Sequence, residues 1–392
     1  MEDKNKKKQK KKTKKIIGIT LSCVIGIPLL TVLSYLGYVV FSYHRIGDIS
    51  LEVNGASEKE KVESNKELTL TTYNIGFGAY SPDYTFFRDT GYDKDVNETR
   101  GKYGKGISKE DVTKNTNGSI SLLKELKSDF FALQEVDVDA DRSYHINQKE
   151  EIEEERDGYD NSFAINFDSA YLFYPFTDPH GKSKAGRSTY SKYEIQESER
   201  KQYTISDGFS KFMDLDRCFS VNRRKADNGK KFVLINSHRS AYDEGGKIRN
   251  TQIKELHSFR KAEADKGNYV IAAGDFNHDL LTDNPRYPQY NSDVIPYQER
   301  INQQKPDWIN YRFDENKTSP YDDGFTIYAA NNEPSCRDCD VVWERGSTFV
   351  STVDGFIVSD NIEIKEVSTL KVGTDGFLYS DHQPSTLKFV LK

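Results

Sequence analysis

Between Ile16 and Tyr43 the chain carries no charged side chain for 28 residues, and residues 1–15 directly before this run hold nine lysines against Glu2 and Asp3. About 20 apolar residues suffice to cross a bilayer as a helix. The run therefore commits the N-terminal end to a membrane-spanning helix and leaves the rest of the chain to fold on one side of it. It is longer than the ~7–15 apolar residues of a secretory leader, and no convincing small-x-small cleavage site precedes His44, so it reads as an uncleaved signal anchor. Gly26 and Pro28 are tolerated in such a helix. Lysines before the span and only Arg45 just after it predict a single-pass protein of the cell membrane, N-terminus cytoplasmic and the bulk of the chain extracellular.

The tail contributes +7 to a chain whose net charge is −6, which leaves residues 16–392 at −13. Tight nonspecific binding of nucleic acid rests on lysine and arginine neutralising phosphates, so this balance argues against a general polyanion binder. A bound cation can still supply local positive charge to a phosphate substrate. Of the four cysteines, Cys23 lies in the span, Cys218 stands alone, and Cys336 and Cys339 form one Cys-x-x-Cys. A single such pair is half a zinc site at best. On an outward-facing domain it reads as a short-loop disulfide.

Residues 44–66, polar and including Glu58-Lys59-Glu60-Lys61, read as a stalk. From Glu67 the pattern changes. Leu68-Thr69-Leu70-Thr71-Thr72-Tyr73 alternates as a strand does and delivers Asn74 at its end. A polar stretch containing glycines runs on to about Gly118, and Ile120, Leu123 and Leu126 then recur at helical spacing. Asp129 to Leu133 reads as a buried strand with Gln134 and Glu135 at its C-terminal end. Further strands are expected at Tyr171–Tyr174, 231–235, 269–272, 356–358 and 387–390, and a helix around Ile253, Leu256 and Phe259. Such interleaving predicts an α/β protein with helices covering sheets, with functional residues collected at strand ends.

Six polar motifs sit at or beside such apolar runs: Thr72-Tyr73-Asn74, Leu133-Gln134-Glu135, Asn236-Ser237-His238, Gly274-Asp275-Phe276-Asn277, Thr352-Val353-Asp354 and Ser380-Asp381-His382. Singly each reads as a turn residue, a solvated acid or a core histidine. Together they supply carboxylates, amides and histidines of the kind that hold a divalent cation and an attacking water. In order and company they resemble the endonuclease/exonuclease/phosphatase superfamily over about residues 67–392. The resemblance implies a four-layer α/β sandwich, two packed β-sheets flanked by helices, as one catalytic domain.

It also implies roles. Asn74, Glu135 and Asp381 would stand at a magnesium ion, with manganese as the alternative. Asp275 and Asn277 would face the scissile phosphate and the water. His382, oriented by Asp354, would activate that water. His238 would donate to a phosphoryl oxygen or the leaving group, with Asn166 or Asp168 standing in for the carboxylate that pairs with it in deoxyribonuclease I-like relatives. Arg239 and Ser240 replace the apolar residue that many relatives carry after this histidine.

The function so implied is a membrane-anchored, outward-facing, metal-dependent phosphodiester hydrolase, a nuclease (endonuclease) first. A sphingomyelinase-like or inositol-phosphate-type esterase acting on phospholipid head groups is the alternative, and a non-catalytic binding module the rival from another class. The tyrosines at 80, 84, 92 and 103 are open to stacking on bases, sitting at a membrane interface or packing. No protein partner is expected.

Overall fold

The computed structural model describes residues 2–55, 60–92, 97–241, 246–281 and 323–392. Contacts divide the chain into two units, Met1–His44 and Arg45–Lys392. The first is one helix, Glu2–Ser42, in which the lysine tail and the apolar run are continuous. Its mean hydropathy over the most apolar window is 2.4, so by length and composition the helix suffices to cross a membrane.

The second unit is built on two seven-stranded mixed sheets. One runs in the order 362–369, 385–391, 67–74, 130–140, 183–191, 160–168, 53–54; the other in the order 49–50, 197–202, 218–225, 231–238, 269–275, 354–359, 325–328. Each sheet has one parallel pair at its centre. Glu67–Asn74 lies beside Phe130–Ala140 with Asn74 opposite Gln134, and Lys231–His238 lies beside Tyr269–Asp275 with His238 opposite Asp275. All other ladders in these two sheets are antiparallel.

Period-two alternation decides which side chains meet between the sheets. Leu68, Leu70, Phe130 and Ala132 from one sheet join Phe232, Leu234, Ile271 and Ala273 from the other in a single apolar cluster. Tyr73, Phe131 and Leu133 point the other way and pack under the helix Lys109–Leu126 through Ile120 and Leu123. Val233, Ile235, Val270 and Ala272 do the same under the helix Lys247–Ala264 through Ile253 and Leu256. The result is the helix–sheet–sheet–helix sandwich implied by the resemblance. The first of these helices begins earlier than its apolar spacing suggests, because the Ser108 hydroxyl accepts from the Asp111 N–H at 3.0 Å and caps it.

Three expectations differ from the fold. Residues 44–66 are not a free stalk: Ile49–Ser50 pairs with the strand Glu197–Gln202, Val53–Asn54 pairs with Asp160–Asp168, and Val62 is fully buried in the inter-sheet core. Glu58 and Lys59 of that segment lie outside the described residues. These strands are too short to show a period of their own, and their pairing comes from the edges they complete. Tyr171–Tyr174 forms no strand; Leu172 makes one isolated bridge to Gly181 while Phe173 and Tyr174 are exposed. The strand through Leu133 does not stop at Glu135 but runs on to Ala140, with a register shift between Leu133 and Val136.

Candidate active site

That register shift is a bulge, and Glu135 within it has φ +54°. Bulges bend a strand and re-aim a side chain, and a non-glycine residue held at positive φ is strained backbone that surrounding structure must enforce. Here it turns the Glu135 carboxylate into a cavity of about 580 Å³ that is also lined by His238, Asp275, Asn277, Asp381 and His382. Phe77, at φ +41°, and Asn277, at φ +50°, are two more such residues on the cavity wall. The turn before Asn277 depends on Gly274, at φ +146°, where a Cβ would collide with the Ser237 carbonyl.

Topology assembles the rest. The two central parallel pairs bring Asn74 and Glu135 from one sheet, and His238 and Asp275 from the other, to the same rim. A buried polar strut spans the sheets below them: the Gln134 amide donates to Asn236 Oδ1 at 2.8 Å, and the Asn236 amide donates to the carbonyls of Leu133 and Ser188 at 3.1 and 3.0 Å. Asp354 stands directly opposite Asp275 in the adjacent ladder.

His382 Nδ1 lies 2.7 Å from Asp354 Oδ2, both groups buried. Its Nε2 faces Asn74 Nδ2 at 3.4 Å, Asp275 Oδ2 at 3.7 Å and Asp381 Oδ2 at 3.9 Å. Burial alone would lower the pKa of this imidazole. The charges of Asp354, Cys336, Asp381 and Asp275 outweigh it and hold the pKa well above its ordinary value.

His238 shows the reverse. Its Nε2 lies 3.4 Å from Asp275 Oδ2 and 3.9 Å from Glu135 Oε1, while Nδ1 is buried without a hydrogen-bond partner. Burial, then Arg217 and Arg187, push its pKa well below the usual histidine range. Asn166 accepts the Asp216 N–H through its carbonyl, and Asp168 pairs with Lys184 in the sheet. The carboxylate facing His238 is Asp275.

Asn74 is drawn into the same cluster but in a particular orientation. Its Oδ1 accepts the Gly76 N–H at 2.9 Å, and its Nδ2 donates to Glu135 Oε1 and Asp275 Oδ2, each at 3.2 Å. In this geometry it orders the carboxylates. Asn277 N–H donates to Asp275 Oδ1 at 2.9 Å, and one hydrogen of its amide goes to the Arg239 carbonyl at 2.8 Å, the second having no partner among the described residues.

Whether these groups suit a hard cation is answered by their charge. Glu135, Asp275 and Asp381 all have raised pKa values, each first because of burial; Asp381 adds to the rise at Glu135 and Asp354 to that at Asp275, while His382 opposes it at all three. Carboxylates crowded in this way are stabilised by a cation with oxygen preference, of which magnesium is one.

Several lining residues were not visible in the motifs. Arg142 forms a two-pronged ion pair with Asp137, at 2.7 and 3.1 Å, and lies 3.9 Å over the Phe77 ring. Arg217, just before the strand Cys218–Lys225, is buried with Nε and Nη1 unpartnered and lines the cavity beside His238. Phe86, Phe87 and Tyr92 wall the outer part. Of the four tyrosines, Tyr80, Tyr84 and Tyr103 pack against one another and Phe77, and Tyr92 is exposed. Cys336 and Cys339 are free thiols rather than a disulfide. Cys339 is buried in the cluster of Phe77, Tyr80 and Tyr84, whereas Cys336 forms a bridge with His382, so the two serve different surroundings.

The sequence profile of a family described as Endonuclease/Exonuclease/phosphatase matches residues 71–382. No curated protein matches the chain. Among solved structures, ANGEL2, a 2',3'-cyclic phosphatase, in complex with adenosine-2',3'-vanadate, is similar at 15% identity and TM-score 0.50, covering 88% of this chain and 99% of that one. An endonuclease/exonuclease/phosphatase from Beutenbergia cavernae DSM 12333 is similar at 14% identity and TM-score 0.49, over 83% and 72% of the two chains. The human Nocturnin catalytic domain with bound sulfate is similar at 12% identity and TM-score 0.48, over 87% and 97%. Likeness at these identities concerns the fold.

Proposed function

This chain belongs to the endonuclease/exonuclease/phosphatase family, and from that premise we propose that it is a divalent-metal-dependent phosphodiester hydrolase held at a membrane by its N-terminal helix, with nucleic acid as its first substrate class. The observation that carries the reading is the joint one: His238, Asp275, Asn277 and His382, the last held from behind by Asp354, face the same cavity as Glu135 and Asp381.

Glu135 and Asp381 would hold magnesium, with Asn74 ordering the carboxylates around it. When bound, the ion stabilises negative charge on the phosphoryl and leaving oxygens. In its neutral form, which the surrounding carboxylates make scarce near neutral pH, His382 takes the proton of the attacking water at Nε2, and Asp354 accepts Nδ1–H and stabilises the imidazolium, so activity should rise with pH. His238, kept neutral by burial and by Arg217, donates from Nε2 to a phosphoryl oxygen. The free amide hydrogen of Asn277 does the same, and Arg217 adds positive charge beside it. Phe86, Phe87 and Tyr92 offer ring surface to an unstacked base, which favours single-stranded or terminal nucleotides over a duplex. A lipid head group is the second reading, favoured by the long apolar helix at the N-terminus.

The test is the full chain in detergent with magnesium, given end-labelled single-stranded DNA and RNA, duplex DNA, sphingomyelin and inositol phosphates in parallel, with His382→Ala as control. Magnesium-dependent cleavage of a nucleic acid that the variant loses is the expected result. Cleavage confined to the lipids would replace the substrate class, and cleavage of none by a folded protein would leave a binding module on this fold.

A further inference from the structure

A thiol stands where this chemistry has no use for one. Cys336, Asp381 and His382 present Sγ, a carboxylate oxygen and a ring nitrogen that all lie within 4.8 Å of one another. His382 Nδ1 is engaged by Asp354, so the nitrogen available is Nε2. A histidine whose second nitrogen is fixed by a carboxylate is the usual arrangement of a zinc ligand.

The backbone keeps the three together. Cys336 bridges to His382, Arg337 N–H donates to the Asp381 carbonyl at 2.9 Å, and Gln383 N–H donates to the Ser335 carbonyl at 2.8 Å. The two segments cannot splay apart. Cys336 and Asp381 are only partly buried and line the cavity, so an ion in solvent reaches them. Zinc with ligands at about 2.0–2.3 Å in a tetrahedron needs them roughly 3.3–3.8 Å apart, so a closure of no more than about 1.5 Å is required of separations that are at most 4.8 Å.

We infer that Cys336, Asp381 and His382 form an inhibitory site for a thiophilic divalent cation, zinc in the first place. The site overlaps the one proposed for magnesium at Asp381 and occupies the His382 nitrogen required for water activation. Magnesium does not take thiolate ligands, whereas zinc and cobalt do. Binding displaces two protons: the S–H bond of Cys336 and the Nε2–H bond of His382 break, the sulfur and nitrogen pairs are donated to the cation, and both protons pass to solvent. A water completes the fourth position.

The inhibition arm rests on the proposed hydrolase reading, and the binding arm does not. The full chain in detergent is titrated with cobalt(II) and then zinc, followed by absorbance, as wild type and as Cys336→Ser and Cys336→Ala, with thermal melts to show that the variants are folded. A thiolate-to-cobalt charge-transfer band in the wild type, absent from both variants and removed by zinc, is expected. So is zinc inhibition in excess magnesium that weakens at least tenfold in Cys336→Ser. No band, or an equal band in folded variants that points to Cys218 or Cys339, overturns the site, as does equal zinc inhibition of wild type and variants. If no substrate is ever cleaved, the cobalt band alone decides the site while the hydrolase reading fails separately.

Discussion

His382 and His238 stand on either side of one carboxylate, 3.7 and 3.4 Å from Asp275 Oδ2, yet the protein treats them in opposite ways. Around His382 are Asp354, Asp381 and Cys336, and the ring holds its proton well above the ordinary range. Around His238 are burial and the guanidinium groups of Arg217 and Arg187, and the ring is kept neutral. Two identical side chains at similar depth thus acquire different charge states from the charged groups set around them. One is suited to store a proton and the other to donate a hydrogen bond without carrying charge.

The largest effect expected from this contrast is at the His382–Asp354 pair. His382→Ala and Asp354→Asn should each lower kcat by about 10²–10⁴-fold. An Asp354→Asn enzyme with wild-type kcat would show that the carboxylate does not serve catalysis. His238→Ala, which removes a neutral donor, should cost about 10²–10³-fold. NMR titration of the ring protons in metal-free protein sharpens the comparison: His382 should remain protonated well above pH 6.5 and His238 neutral well below it. In linkage terms His382 contributes stability that is full below its unfolded pKa and is lost as pH rises through the folded one, and His238 has the opposite sign. Equal titration midpoints would dissolve the distinction.

Smaller effects lie one step out. Asn74→Ala, which removes donors to Glu135 and Asp275, should raise the magnesium needed for half-maximal activity by about 10–100-fold with less change in kcat, read from metal titrations. The smallest concerns His180, buried among Phe77, Phe86, Phe87 and Phe167, whose pKa burial and then Arg142 lower to about 3. Because the unfolded chain binds this proton near pH 6.5 and the folded one does not, stability present above pH 6.5 is lost as pH falls toward 3. The loss is about 2 kcal/mol at pH 5. His180→Gln should flatten that slope in denaturant melts at pH 7 and pH 5.

Much of this was legible because the chemistry sits at the ends of strands that announce themselves. Leu68–Tyr73 and 269–272 are readable from alternation or apolar runs, and the residues that follow them inherit a location. What could not be read is what topology alone creates. Nothing near Arg217 or Arg142 has a pattern, and their place beside His238 and Glu135 follows from which strands lie adjacent. The same holds for Cys336, which spacing paired with Cys339 and the fold pairs with His382. The bulge at Glu135 was hidden as well, since a strand that ends and a strand that bends look alike in one dimension. Ile49–Ser50 and Val53–Asn54 were missed because edges recruit them, not their own composition.

The Gln134–Asn236 strut has a consequence for how such a protein fails. Each partner belongs to a different sheet, and both lie directly beneath the cavity. Separating the sheets would strand the buried Asn236 amide, whose partners Gln134, Leu133 and Ser188 all belong to the other sheet, a penalty of about 1–3 kcal/mol for each group left unsatisfied. Activity and the native core are therefore expected to disappear in the same thermal transition, which near-UV dichroism and residual activity followed against temperature would check.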